Sequence, residues 1–203
     1  MKPAWKLFAI LLSISAFAAD KDKSSFKPNL AETYPTKQTQ GKVTIAAVPF
    51  VNDDEIRAAF GKSNPYKYGI LPVLVVIHNE GSQVLRLDLK AEYVDAQGRH
   101  VEAIPASEVP YAAVSPKRND AGGPIPIPRG PIGPRTKKNP LSSWEVEGRA
   151  FSAKMLPAGE SANGFVYFQA RPEPGASLYV TGLEEASSGK ELIYFEIPLD
   201  AKE

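Results

Sequence analysis

The sequence predicts a mainly β protein that folds as an antiparallel β-sandwich, with one or two short inserted helices and a long proline-rich loop. Two stretches carry this prediction. Residues 70–77 are apolar on both faces of an extended chain, which is typical of a strand that is covered on both sides. Residues 85–93 alternate between apolar and charged side chains, which is typical of a strand with one face in the core and the other in water.

The N-terminal nineteen residues have the pattern of a cleaved signal peptide. Lys2 and Lys6 precede an apolar run, and Ala16-Phe17-Ala18 supplies the small residues that signal peptidase accepts. The run spans residues 7–18, which is shorter than the roughly 20 residues that a membrane-spanning helix needs. We therefore expect a periplasmic or secreted mature protein. The chain has no cysteine, so neither a lipid anchor nor a disulfide is expected.

Residues 20–41 are predicted to form a flexible linker, because they mix Lys, Ser, Thr, Gln and Pro without an apolar period. The predicted domain covers residues 42–200. It begins with a strand over residues 43–51, followed by a short helix that Asn52 or Asp53 can cap and Gly61 ends.

Three strands in a row are predicted next. Tight turns at residues 79–82 and 95–98 separate the strands at 70–77 and 85–93 from a third strand that contains Val101. Because the turns are short, we expect the three strands to pair as an antiparallel meander.

Residues 112–140 break the strand pattern with seven prolines, and proline cannot donate to a central ladder. This segment carries a net charge of +5, whereas residues 43–111 and 141–203 together carry −8 and the whole chain +1. Both an inert insertion and a partner-binding loop fit this composition. The basic residues of the candidate loop are Lys117, Arg118, Arg129, Arg135, Lys137 and Lys138.

The second half of the domain begins with an ambiguous segment. Trp144, Gly148, Phe151 and Met155 recur at helical spacing, which predicts a helix with one apolar stripe. A strand is the alternative, because charged residues also alternate at positions 145, 147 and 149. Three further strands are predicted at residues 164–170, 178–181 and 191–199.

The turn sequences resemble those of a known family. Ile77-His78-Asn79-Glu80-Gly81 ends one apolar strand, and Leu156-Pro157-x-Gly159-Glu160-Ser161 precedes Gly164-Phe165-Val166-Tyr167-Phe168. Over residues 43–199, without the proline-rich loop, the chain resembles the telokin-like, immunoglobulin-like β-sandwich domains of uncharacterised exported bacterial proteins. The resemblance implies an immunoglobulin-like fold, usually without a known activity, and no functional residue carries over. The chain lacks both core cysteines of antibody domains.

Residues that could carry chemistry are few. His78 and His100 have no neighbouring His or Cys at metal-ligand spacing, so no metal, cofactor or catalytic residue is predicted. The acidic pairs at 53–54 and 184–185 are adjacent in sequence and should point apart. The basic residues of the loop lack interleaved aromatic residues, which argues against nucleic acid as a partner.

These observations favour an exported, non-catalytic interaction or envelope-associated protein, whose partner is a protein or another envelope component. One alternative is a periplasmic protein that binds a small apolar ligand or lipid in a cavity lined by Trp144, Phe151 and Phe165. A more distant alternative is a hydrolase.

The signal-peptide prediction is tested by N-terminal sequencing of the protein from its native host. We expect the mature chain to begin at Ala19 or Asp20 and to be recovered in soluble form. Recovery of intact residues 1–18 in a membrane fraction would contradict export by cleavage.

Overall fold

The computed structural model describes residues 26–112, 139, 141 and 144–200. The predicted signal peptide at residues 1–19 lies outside them. Within the described part of the chain, no helix is long and apolar enough to cross a membrane. The strands are β1 (Lys37–Gln40), β2 (Val43–Pro49), β3 (Leu71–Asn79), β4 (Leu85–Val94), β5 (His100–Glu102), β6 (Met155–Leu156), β7 (Ser161–Phe168), β8 (Ser177–Glu185), β9 (Glu191–Leu192) and β10 (Phe195–Pro198). The helices are α1 (Asp53–Phe60), α2 (Val109–Ala112) and α3 (Trp144–Gly148), with short 3-10 turns at Ala31–Thr33 and Pro65–Tyr68.

The strands form two antiparallel sheets, which confirms the predicted mainly β sandwich. A four-stranded sheet has the order β1-β2-β3-β7. A six-stranded sheet has the order β10-β8-β4-β5, with β6 paired to β4 and β9 paired to β8.

Strand β3 is buried on both faces, as its sequence predicts. On one face, Val75 and Ile77 pack between the sheets in a cluster that includes Leu87 of β4. On the other face, Leu74 and Val76 belong to a second cluster, which the helices cover. Burial of one such side chain contributes about 1.5–3 kcal/mol. The four-stranded sheet is therefore the middle layer of the molecule.

Helix α1 begins and ends where the sequence predicts. The Asn52 side chain accepts a hydrogen bond from the amide of Asp54 at 2.8 Å, and the Gly61 amide donates to the carbonyl of Arg57 at 2.9 Å. Ile56 and Phe60 are buried on the face that meets the middle sheet.

The predicted three-stranded meander is wrong. β4 and β5 form a hairpin, but β3 and β4 lie in different sheets. The physical reason is that β3 already pairs with β2 on one side and β7 on the other. The apolar face of β4 can then be buried only by packing against β3 from the opposite sheet.

A helix does form at Trp144–Gly148, but the predicted apolar stripe that extends to Met155 is wrong. The helix ends at Gly148, and the Trp144 and Met155 side chains are 68% and 50% exposed. The following residues instead pair with β7, because the Phe151 amide donates to the Phe165 carbonyl at 2.9 Å and the Phe165 amide donates to the Arg149 carbonyl at 2.8 Å. The backbone groups at the edge of β7 need hydrogen-bond partners. Residues 149–151 supply them, so the helix does not continue to Met155.

Residues 37–40 are predicted to belong to the linker, but they form β1. This strand pairs with β2 through a two-residue turn in which Gly41 and Lys42 have φ angles of 55° and 67°. Two positive φ values are typical of the turn that joins twisted hairpin strands. β1 is an edge strand held by backbone hydrogen bonds, and all of its side chains are polar. It therefore has no pattern of apolar residues by which the sequence could predict it.

Helix α3 is attached to the middle sheet by a buried tyrosine. The Tyr167 hydroxyl donates to the Val146 carbonyl at 2.7 Å, and burial raises the pKa of this phenol above its usual range. The side chain therefore stays neutral and remains a hydrogen-bond donor at physiological pH.

The side chains of β4 alternate between the core and solvent, which predicts different stability effects for two neighbouring residues. Leu87 is 1% exposed, so we expect Leu87→Ala to lower the free energy of unfolding by about 2–5 kcal/mol through lost burial and a cavity. Arg86 points outward and pairs with the Glu184 carboxylate while remaining mostly exposed, so Arg86→Ala should cost under about 1 kcal/mol. Urea denaturation measures both, and equal losses would contradict this facing.

Candidate functional site

One end of the molecule is organised around the buried side chain of Asn79, which is 1% exposed. Its amide nitrogen donates to the carbonyl oxygens of Gln83 at 2.8 Å and of Leu156 and Pro157 at 3.2 Å each. Its amide oxygen accepts from the Gly81 amide at 3.0 Å. These bonds connect the end of β3 to the turn before β4 and to the turn before β7.

The backbone of Asn79 fixes the same junction. Its amide donates to the Glu160 carbonyl at 3.0 Å, and its carbonyl accepts from the Gly159 amide at 2.7 Å. Because successive side chains of a strand point to opposite faces, the inward position of Asn79 turns His78 toward the outer face of the four-stranded sheet.

At this end of the outer face, a polar row crosses all four strands. In register, Thr39 lies opposite Thr44, Thr44 opposite His78, and His78 opposite Ser161. The hydroxyls of Thr39 and Thr44 are 2.8 Å apart, and His78 Nδ1 is 2.8 Å from Ser161 Oγ. The apolar cluster under the helices stops where this row begins.

The 3-10 turn at Ala31–Thr33 brings a carboxylate to the row. Ala31 is buried in the apolar cluster, which places Glu32 beside His78. Glu32 Oε1 lies 3.8 Å from His78 Nε2, too far for a hydrogen bond. Among the described residues, this buried oxygen has no hydrogen-bond partner.

Glu80 completes the Glu32–His78–Glu80 cluster. One carboxylate oxygen from each glutamate and one ring nitrogen of His78 all lie within 4.8 Å of one another. Lys37 holds the segment in place from the side, because its ammonium donates to the carbonyls of Glu32 at 2.7 Å and Tyr34 at 2.9 Å.

The Ser161–His78–Glu32 series has the order of a nucleophile, a base and an orienting carboxylate, but the carboxylate is too far from His78 to hydrogen-bond to it. An oxyanion needs backbone N–H donors aimed at the reacting atom. The three amides that follow His78 donate elsewhere: Asn79 to Glu160, Glu80 to Lys42, and Gly81 to the Asn79 side chain. The amides of residues 79–81 are therefore all engaged in other hydrogen bonds.

The six basic residues predicted to bind a partner, Lys117, Arg118, Arg129, Arg135, Lys137 and Lys138, lie outside the described residues. The positions that border their segment are anchored. Asn139 donates from its side chain to the Pro110 carbonyl at 2.6 Å, and Leu141 is fully buried. Next to these anchors, Tyr111 is 87% exposed and Trp144 68% exposed.

Of the three residues predicted to line an apolar ligand cavity, Phe151 and Phe165 pair through their backbones, but their side chains pack in different clusters. Phe165 is packed among the rings of Phe50 at 4.9 Å and Phe60 at 4.6 Å between centroids. Trp144 points to solvent and lies over Gly148. Aromatic side chains thus fill the space beside Phe165.

The two acidic pairs are engaged separately. A hydrogen bond from the Lys67 ammonium, 3.0 Å away, is the main cause that holds the pKa of Asp53 below its usual value. Glu184 pairs with Arg86, whereas Glu185 accepts from the Ser188 hydroxyl at 2.7 Å. Neither pair places two carboxyl groups across a common cleft.

No family model and no curated protein matches the chain. Among solved structures, the yjhA protein from Bacillus subtilis is similar over 81% of this chain and 96% of its own, with a TM-score of 0.44 and 12% identity. A Northeast Structural Genomics Consortium target, SoR45, is similar over 78% of this chain and 88% of its own, with a TM-score of 0.32 and 11% identity.

The position of Asn79 predicts a large effect of a small truncation. Asn79→Ala removes the donor for three carbonyl oxygens in a largely buried turn, so we expect the free energy of unfolding to fall by about 3 kcal/mol. Asn163→Ala, on the exposed side of β7, is the matched control and should change stability by under about 0.5 kcal/mol. Similar urea midpoints for the two variants would contradict a structural role of this amide.

Proposed function

We propose that this chain is an exported, non-catalytic interaction protein of the cell envelope that binds an acidic envelope component through its basic segment at residues 112–140. The observation that carries this proposal is the anchoring of Pro110 by Asn139, with exposed Tyr111 and Trp144 beside the anchored positions. A hydrogen bond thus joins the residues on either side of the segment, and an exposed aromatic residue lies near each of its ends.

Charge supports an acidic partner. The segment carries +5, while residues 43–111 and 141–203 together carry −8, so the positive charge is concentrated in one short stretch. Such a concentration attracts an acidic surface from a distance and accelerates encounter at low ionic strength. The acidic body of the same chain competes for the segment, and salt weakens both contacts.

The exposed aromatic residues supply the short-range part of the contact. Tyrosine and tryptophan are enriched among the residues that dominate binding energy in protein interfaces. Tyr111 follows the anchored Pro110 directly, and Trp144 lies three residues after the buried Leu141. The backbone of Tyr111 directly follows a residue held by a hydrogen bond, so this end of the contact requires less ordering of the backbone on binding.

The proposed location rests on the signal-peptide pattern of residues 1–19. The telokin-like, immunoglobulin-like resemblance agrees with an exported β-sandwich without catalysis. We infer a protein or another envelope component as the partner, and not nucleic acid, because export separates the chain from nucleic acid.

The proposal is tested by replacing residues 113–138 with a short Gly/Ser linker while keeping Asn139 and Leu141. The melting temperature should stay nearly unchanged, because the closure entropy of a loop varies slowly with its length. Co-sedimentation with the envelope fraction of the native host should fall about tenfold or more at low salt, where the Debye length is about 30 Å, and wild-type binding should fall near 1 M salt, where it is about 3 Å.

The matched control is a chain in which the same segment is scrambled, so that its charge and length are kept. Binding by the scrambled chain at low salt would assign the contribution of residues 113–138 to their charge and not to their order, and Trp144→Ala then measures the aromatic contribution. Equal sedimentation of the wild type and the linker variant would overturn the proposal, as would a wild type that does not sediment at either salt concentration.

A further inference from the structure

We propose that Glu32, His78 and Glu80 bind a divalent transition-metal ion of the Zn²⁺ class. The site is independent of the interaction proposed above, because neither the basic segment nor its flanking aromatic residues contribute to it. It joins a ligand from the 3-10 turn at Ala31–Thr33 to two ligands at the end of β3.

The spacing fits an ion of this size. Zinc binds histidine nitrogen at about 2.0–2.1 Å and carboxylate oxygen at about 2.0–2.2 Å in a tetrahedral arrangement, so two ligands of one ion lie about 3.3 Å apart. The three candidate ligand atoms lie within 4.8 Å of one another. Glu32 Oε1 and His78 Nε2, which are 3.8 Å apart, exceed this spacing by about 0.5 Å. Glu80 is exposed, so rotation of its side chain can bring its carboxylate closer to the other two ligands.

The histidine is already oriented for this role. Ser161 Oγ lies 2.8 Å from His78 Nδ1 and can accept the proton carried there, which leaves the lone pair of Nε2 directed toward Glu32. Metal-binding histidines regularly use their second ring nitrogen in this way, since the outer hydrogen bond fixes the tautomer and the ring.

The buried oxygen of Glu32 supplies a separate argument. Glu32 Oε1 is inaccessible to solvent and, among the described residues, has no hydrogen-bond donor. A carboxylate oxygen in this position is costly without a partner. A cation between Glu32 and His78 would satisfy it, and the two carboxylates would neutralise the double positive charge.

The donor set indicates the class of ion. Ca²⁺ and Mg²⁺ prefer sites made of oxygen ligands, whereas imidazole combined with carboxylates suits Zn²⁺ and its first-row neighbours. Three protein ligands leave one tetrahedral position to water.

The test is a titration of the purified, untagged chain with Zn²⁺ by calorimetry, and with Co²⁺ by visible absorption. We expect one ion per chain, and no displacement by Ca²⁺ or Mg²⁺ in excess. Glu80→Gln should weaken Zn²⁺ binding about tenfold or more without affecting the melting temperature of the metal-free protein, since Glu80 is exposed. His78→Asn should abolish the Co²⁺ absorption bands, and Ser161→Ala should weaken binding roughly 10–100-fold.

His100→Asn is the matched control, because His100 also lies beside a glutamate, with Nδ1 2.5 Å from Glu92 Oε2, but has no second carboxylate in a described ligand group. Its Zn²⁺ affinity should equal that of the wild type. Wild-type affinity in Glu80→Gln, loss of binding in His100→Asn, or no Zn²⁺ binding by the wild type would each overturn the proposal.

Discussion

The buried amide of Asn79 is the contact on which this end of the structure depends. It binds carbonyl oxygens on both sides of the sandwich, since Gln83 leads into β4 and Pro157 leads into β7. Strands β4 and β7 belong to opposite sheets, so one side chain fixes where the sheets meet. The same contact decides which way the neighbouring residues face. His78 reaches the outer surface because Asn79 occupies the inner one.

The middle sheet explains why the chain needs helices at all. Strand β3 is apolar on both faces, and the six-stranded sheet covers only one of them. Helices α1 and α3, with the 3-10 turn at Ala31–Thr33, supply the cover for the other face through Ile56, Val146 and Ala31. This cover ends at the polar row, and the Glu32–His78–Glu80 cluster lies at that border. The position of the cluster is therefore a consequence of how the apolar layer ends.

The two candidate surfaces differ in how far the sequence reveals them. The basic segment is visible as a run of charge and proline, because its members are neighbours in the chain. The cluster is not visible in this way, since Glu32 is separated from His78 by two strands and a helix, and its segment has the composition of a linker. In the sequence, His78 and Glu80 are the two ligands that lie close together, and two ligands do not predict a metal site.

The sequence by itself determined the strands with strong hydrophobic patterns, the capped helix α1 and the two-sided burial of β3, because these follow from local periodicity and local hydrogen bonds. Tertiary structure decided the rest. β4 joins the other sheet because both edges of β3 are already occupied. Residues 149–151 leave the helix because the free edge of β7 offers them hydrogen-bond partners. The assembly of Glu32 with His78 depends on the packing of Ala31. These outcomes are competitions between distant segments for the same hydrogen-bonding edge or apolar face, which no local pattern records.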